Sequence, residues 1–502
     1  MSAVTTAEAT RPRSRGRSIV PLITIGLTIA LSLAIGAAAG GSAVLAIAGA
    51  LALLAAVTVA IRPEWAVLIV VGLIYSNAPV VLVEFHGLPL VLGAAVPFIL
   101  VAALAYDLLV RREPIVVTPA LPWVTLFLVV QILSTIVARE TLATSDALWS
   151  FVIEGYALYF LITNTVRTPQ LVRSIIWVLL LTGAALGALS LWQALTGTYG
   201  SSYFGFAQTD AAITGLTETG ISRLAGPIGE KNRYAQIMLM LVPLGIMQFT
   251  AERQRILRFT ALACAALASV AVALTFSRGA ALAGGLIIVA MVALRYIRLS
   301  HLLATVAIIA VVAVAVPTYG ERLTSLADIG ALFADEPASS ATDNSLLSRA
   351  TENLAALNVF ADHPILGVGP DQFPTYYRDY ADTIGVSVRA ADREAHNLYL
   401  ETAAETGIFG LITFLGAVVA TLIQLARARA AALARRPDLA AMATGFMLAL
   451  LAYMATGIFL HLSYARYFWL VLALAGATAS VVLDAMAKLD EGTASEVEAV
   501  PR

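Results

Sequence analysis

Four short blocks of this sequence bring together residue types that do chemistry. The first is Ala395-His396-Asn397-Leu398-Tyr399-Leu400-Glu401, where a polar stretch gives way to an apolar one. A histidine ionises near neutrality and can take or give a proton. Asn397 is a good N-cap for a following helix. Glu401 and Glu405 would then lie on the same helical face as Asn397, with Gly407 dividing this helix from the next apolar run. The plainer alternative is a capping histidine beside solvated glutamates.

The second block runs from Ser222 to Ala235 and holds Arg223, Gly226, Gly229, Lys231, Asn232 and Arg233. Its glycines allow tight turns. Arg223, Lys231 and Arg233 could clamp an anion, helped by the dipole of a helix expected to begin at Tyr234. The alternative is a snorkelling basic cluster that sets a helix at its depth in lipid. The third block is Thr275-Phe276-Ser277-Arg278-Gly279-Ala280. Arg278 falls in a hairpin with almost no loop, and a guanidinium suits bidentate contact with phosphate oxygens. The fourth is Asp362 to Phe373, with His363, Pro364, Gly367, Gly369 and Asp371. A lone Gly-x-Gly is weak evidence for phosphate binding, since no strand precedes it and no helix clearly follows. It reads as a rigid structural turn with His363 as a turn residue.

The elements that must position these blocks follow from composition. The chain has 502 residues, 60% hydrophobic and 13% charged, with mean hydropathy +0.86. Soluble domains carry about 25% charged residues. The expected fold is therefore an all-α polytopic integral membrane protein. A spanning helix needs about 20 apolar residues, and the runs give about 12–14 spans. They are expected near 19–36, 43–61, 65–82, 89–110, 120–138, 147–164, 171–195, 234–250, 257–276, 280–297, 300–316, 407–425, 440–460 and 465–484. The first apolar run is read as an uncleaved span, not a signal peptide. The formal net charge of −1 gives no sign of nucleic-acid binding. The one cysteine, Cys264, excludes disulfides, CxxC redox chemistry and cysteine zinc sites within one chain.

Basic residues in the short loops set the orientation. Arg62, Arg111, Arg112, Arg167, Arg173, Arg253, Arg255, Arg258, Arg295, Arg298, Arg427, Arg429, Arg435, Arg436 and Lys488 fall on one side with the N-terminus, expected to be the cytoplasm. The organisation is then a basic cytoplasmic tail (1–18), a transmembrane region (19–316), a large extracytoplasmic loop (317–406), C-terminal spans (407–484) and a cytoplasmic tail (485–502). The polar stretch 317–396 carries twelve acidic and five basic residues. Its 346–360 part is helix-like, with Leu347, Ala350, Leu354 and Leu357 at helical steps. Tyr376, Tyr377 and Tyr380 could stack on a sugar, though an interfacial aromatic belt is the commoner use. Arg223, Lys231, Arg233, Arg278 and Arg466 are positive charges on the outer face, against the insertion bias. A transporter would place ionisable residues mid-span and often repeats itself. Apart from Glu154, and Glu64 or Glu84 near span ends, few such charges occur and no internal repeat is evident.

Taken in order, Arg223 to Ala235, the Ser-Arg-Gly-Ala of 277–280, the HPxxGVGxxxF of 363–373 and the AHNxYLExxxExGxxGL of 395–411 resemble the O-antigen ligase and polymerase superfamily of bacterial envelope glycan transferases. The resemblance covers roughly the C-terminal 280 residues. Two departures stand out: Glu230-Lys231-Asn232 lacks the family's proline beside the asparagine, and no tryptophan follows Arg349. The resemblance implies a GT-C-like membrane glycosyltransferase in the bacterial cytoplasmic (inner) membrane, working on its extracytoplasmic face. Its donor would be a glycan on polyprenyl (undecaprenyl) pyrophosphate and its acceptor a glycan, lipid or protein. It implies no nucleotide sugar, no cofactor and no obligatory metal, although the acidic loop keeps a bridging divalent cation open. His396, Arg223 and Arg278 would be catalytic. Lys231, Asn232, Arg233, Ser277, Asn397, Tyr399, Glu401, Gly367, Gly369 and Asp371 would bind substrate. Polymerase, protein-glycosylating, flippase and transporter readings remain alternatives.

Overall fold

In hydrocarbon every backbone N–H and C=O needs an internal partner, so apolar runs of this length form helices. The computed structural model describes residues 62, 64–90, 93, 96–210, 223–298, 300, 341–384, 393–462 and 465–498. The expected spans at 19–36, 43–61 and 300–316, and the tail 1–18, lie outside the described residues. Residues 67–502 form one unit, which holds every element of the site; residues 1–66 form another, described only at 62 and 64–66.

Among the described residues the chain is helical apart from one two-stranded ribbon. The helices are α1 (Glu64–Tyr75), α2 (Ala78–His86), α3 (Ile99–Leu109), α4 (Leu121–Ser134), α5 (Thr141–Ser150), α6 (Leu158–Thr165), α7 (Pro169–Thr196), α8 (Lys231–Ala251), α9 (Arg255–Leu274), α10 (Arg278–Ala293), α11 (Ala341–Asp362), α12 (Phe373–Ile384), α13 (Leu398–Ala432), α14 (Pro437–Thr456) and α15 (Ala465–Glu498). A π-helical turn, Phe151–Ala157, joins α5 to α6. Six helices, α7, α8, α9, α13, α14 and α15, are long and apolar enough to cross a membrane, or seven spans if the bent pair α1–α2 counts as one. Val96–Leu109, Leu121–Val137 and α10 are apolar but shorter, so three of the expected spans fall below that length.

The span expected near 65–82 is broken: α1 and α2 meet at a 54° bend. Asn77 takes a left-handed backbone there (φ 59), and Pro79 in the first turn of α2 cannot donate a backward hydrogen bond. Helix α14 is nearly enclosed by its neighbours, whereas α9 shows most of its surface. At the centre, Phe127, Phe151, Phe414, Phe468 and Trp469 stack with ring centroids 4.8 to 6.3 Å apart, tying α4, the π-turn, α13 and α15 together.

The polar segment has a small core of its own. Ala355, Ala356, Val359, Phe373, Tyr376, Tyr377 and Ala381 from α11 and α12 pack with Ala395 and Ala404. The helix expected at 346–360 is present, and the expectation that Tyr376 and Tyr377 could stack on a sugar is corrected. On α11 the buried face is Ser348, Thr351, Glu352, Ala355, Ala356 and Val359, while Leu354 and Leu357 are exposed. Helical spacing identified the helix, but small side chains let it approach its neighbours and chose the opposite face. Tyr376 and Tyr377 belong to this core, out of a sugar's reach. Tyr380 donates to Asp362 Oδ2 at 2.8 Å, and burial and that carboxylate push its pKa up to about 12.

Candidate functional site

His396 sits in the short turn before α13. Asn397 caps that helix, its Oδ1 accepting from Tyr399 N (3.0 Å) and Leu400 N (3.2 Å). His396 itself has φ 48, a left-handed conformation costly for a non-glycine residue. The conformation brings its Nδ1 to 3.0 Å from the carbonyl two residues back, Glu394 O, and to 3.1 Å from Glu352 Oε2 on α11. Glu394 O can only accept, so the neutral ring carries its proton on Nδ1, with the Glu352 carboxylate close by but outside hydrogen-bond geometry. Nε2 is left with its lone pair and no hydrogen-bond partner among the described residues. The Glu352 side chain is 3% exposed and that of His396 27%, so the carboxylate anchors the ring from beneath while the ring faces outward.

Glu352 was not singled out in the sequence: one acidic residue on a helix reads as a solvated one. A second residue also escaped notice. His461 lies in the turn between α14 and α15, its ring 5.4 Å from that of His396 and nearly perpendicular to it, at 72°. The turn is held from four directions. Leu398 N donates to Gly457 O (2.8 Å), Leu462 N to Glu401 Oε1 (3.3 Å), and the Arg233 guanidinium to His461 O. Phe459 packs against Gly279, where a Cβ would stand 2.9 Å from the Phe459 ring. That last contact seats the residue after Arg278 on the turn that carries His461. Burial, Arg233 and His396 hold the His461 pKa well below the ordinary 6.5, so this imidazole is neutral. The only sequence signal for His461 was its position in a short turn on the same side as His396.

Arg233 is almost fully buried in the first turn of α8. Its charge opposes the rise that burial and Asp371 impose on the Glu394 carboxyl. Gln236, three residues on, bonds Thr456 Oγ1 at 2.8 Å and so ties α8 to the end of α14 beside the same turn. The start of α8 corrects the expectation of an anion site at Tyr234. The helix begins at Lys231, and the Glu230 carboxylate caps it by accepting from Asn232 N (2.9 Å) and Arg233 N (2.7 Å). An internal carboxylate thus occupies the position expected for a ligand anion. Asn232 also donates to Glu230 (3.0 Å), and Lys231 is paired with Asp210.

Arg223 directly precedes β2 (Leu224–Gly226), which pairs with β1 (Gln208–Thr209), and its carbonyl accepts from Asp210 N at 3.1 Å. Gly226, at φ 56, lets this backbone lie on Tyr234, where a Cβ would come within 2.5 Å of the ring. Arg278 opens α10 behind its N-cap Ser277, which accepts from Ala280 N at 3.4 Å. Tyr399 donates to Met454 O (2.7 Å), which fixes α13 against α14.

The block at 363–373 proves to be a backbone clamp. Gly407 interrupts α13 with φ 66 and ψ −167, leaving carbonyls at the end of the 398–406 turn without helical partners. Val368 N donates to Ala404 O (3.0 Å), Gly369 N to Glu405 O (2.9 Å), and Ile408 N to Pro364 O (2.8 Å). Gly367 leaves no room for a side chain, since a Cβ there would stand 2.3 Å from the Glu405 backbone. Asp371, at φ 58, precedes Phe373, whose N–H donates to Glu405 Oε1 at 3.3 Å. Glu401 is therefore buried and bonded inside the protein, and the half-buried Glu405 is bonded to the clamp. No group of three or more His, Cys, Asp or Glu residues is placed to hold a metal ion among the described residues.

Two further arginines expected on the outer face have structural partners. Arg139 pairs with Asp379 (2.8 Å) and lies 3.7 Å over the Tyr376 ring. Arg466 donates to Asn77 Oδ1 (2.7 Å) and meets Glu154 at 3.4 Å, at one end of an apolar cavity of about 260 Å³ lined by Pro79, Val83 and Pro97 among others.

These features define a multi-pass, all-helical membrane protein with a histidine–carboxylate pair near Arg233, where the starts of α8 and α13 meet the α14–α15 turn. Residues 263–415 match the family model described as O-antigen ligase, and this match supports membership of the O-antigen ligase superfamily. Its ligases and polymerases are membrane glycosyltransferase-like enzymes. The matched stretch takes in Arg278, Glu352, the 363–373 clamp, His396 and Glu401, and leaves out Arg223, Arg233 and His461. No curated protein matches the chain.

Proposed function

We propose that the chain transfers a glycan from a polyprenyl (undecaprenyl) pyrophosphate carrier to an acceptor on the outer face of the bacterial cytoplasmic membrane. The observation that carries this reading is the placement of His396: Nδ1 is hydrogen-bonded to Glu394 O with the Glu352 carboxylate 3.1 Å away, and Nε2 has no hydrogen-bond partner among the described residues. In the proposed step Nε2 takes the proton of an acceptor hydroxyl. The acceptor oxygen bonds to the anomeric carbon of the donor sugar, and the bond from that carbon to the pyrophosphate oxygen breaks. The electron pair leaves with the lipid pyrophosphate, whose growing charge Arg223 and Arg278 would stabilise from fixed positions. Proton transfer by a placed side chain contributes typically about 10²–10⁴-fold.

Purified protein is incubated with a lipid-linked oligosaccharide and a panel of glycan, lipid and peptide acceptors, and the products are analysed by mass spectrometry. A mass increase of one glycan on an acceptor, lost in His396→Ala, Arg223→Ala and Arg278→Ala, is the expected result. Full transfer by all three variants would sink the reading. Repeated addition to the glycan itself would identify a polymerase, and addition to the peptide a protein glycosylating enzyme.

A further inference from the structure

His461 is the group at this site to which nothing so far gives a role. Its Nδ1 is buried and makes no hydrogen bond among the described residues. A neutral imidazole has one N–H and one bare nitrogen. Orphaned buried N–H groups are rarer than under-satisfied acceptors, and the ring already lies in the field of the Arg233 charge. A bare lone pair on Nδ1 suits that surrounding better, so the proton lies on Nε2. His396 has the opposite tautomer, because two acceptors face its Nδ1. The two rings, 5.4 Å apart, thus form a complementary pair: His396 offers a bare Nε2, His461 an Nε2–H.

We propose that His461 is a substrate-contacting hydrogen-bond donor, its Nε2–H held toward an oxygen of the acceptor whose hydroxyl His396 deprotonates. The inference rests on the transferase reading above. The bond orients the acceptor, and no proton leaves His461 at any step. Arg233 on its carbonyl, together with the bonds at Gly457 and Leu462, fixes the turn that aims the ring. His461 is kept from competing as a base by its buried, cation-flanked place, so the proton goes to His396 alone.

The test compares three side chains in purified, detergent-solubilised protein, with initial transfer rates measured against acceptor concentration. In His461→Gln the amide nitrogen falls near Nε2 and keeps the donor. In His461→Asn it falls near Nδ1, and His461→Met keeps bulk without a donor. Expected are near-wild-type kcat/KM for His461→Gln and a loss of about tenfold to hundredfold for the other two. The loss should appear for the acceptor and not in the KM for the lipid-linked donor. His461→Met or His461→Asn as active as His461→Gln would overturn the proposal. If His461→Met does not fold, judged by its melting curve, the Gln–Asn comparison decides alone. The reading beneath fails separately: it falls if wild-type protein transfers nothing or His396→Ala is fully active, whereas active wild type, inactive His396→Ala and unaffected His461→Met remove only His461.

Discussion

At the scale of single residues, the site depends on which nitrogen of each histidine carries the proton, and the decisive neighbours are a carbonyl and one carboxylate. Glu352 is nearly fully buried and reaches His396 at 3.1 Å. If it stabilises the imidazolium in the transition state, Glu352→Gln should lower kcat about a hundredfold with little change in either KM. Steady-state transfer kinetics check this. A large rise in KM with unchanged kcat would make Glu352 a binding residue instead. His396 was legible in the sequence as a histidine at a polar-to-apolar boundary beside a helix cap. Glu352 and His461 were not. They lie 44 positions before and 65 positions after His396, and no local pattern encodes contacts at that separation.

At the scale of elements, the 363–373 block and the break in α13 are two halves of one device. Gly407 frees the carbonyls of Ala404 and Glu405, and Val368 and Gly369 bond them again. The block was readable as a structural turn from its proline and glycines, but the partner it serves was not. A Cβ on Gly407 would meet Ile365 O at 2.2 Å in a left-handed conformation, whereas Gly197, also left-handed (φ 65), has open space around it. Gly407→Ala should therefore destabilise the protein by about 2 to 5 kcal/mol, from backbone strain plus overpacking. Gly197→Ala should cost only the strain, about 1 to 2 kcal/mol. Thermal melting of the two variants in detergent is the measurement, and equal melting points would refute the clamp. The capping of α8 by Glu230 is a similar case. The glycine-rich approach was visible in the sequence, yet the helix start three residues earlier placed a carboxylate where a ligand anion was expected.

At the scale of the whole molecule, the charge bias predicts which side the site faces. Asp379 and Arg435 have exposed side chains, 59% and 50%, in segments expected on opposite faces. In intact cells, Asp379→Cys should react with a membrane-impermeant maleimide and Arg435→Cys only after lysis; the single native cysteine, Cys264, is buried and leaves a low background. Labelling in the reverse order would invert the topology and with it the proposed outer-face reaction.

Composition and hydropathy alone determined that the chain is a multi-pass helical membrane protein, because 60% apolar residues in long runs have no other stable form in lipid. The order of its motifs carried the resemblance to the O-antigen ligase superfamily, and residue type marked His396, Arg223 and Arg278 as the groups to watch. Tertiary structure decided which α11 face is buried, that α1 and α2 bend at Asn77, and that Arg233 and His461 meet His396's surroundings from three separate helix ends. The physical reason is range. Periodicity, caps and turns are set by neighbours within a few positions, but a site assembled from α8, α11, the α13 start and the α14–α15 turn exists only once long-range packing has chosen which side chains share a space.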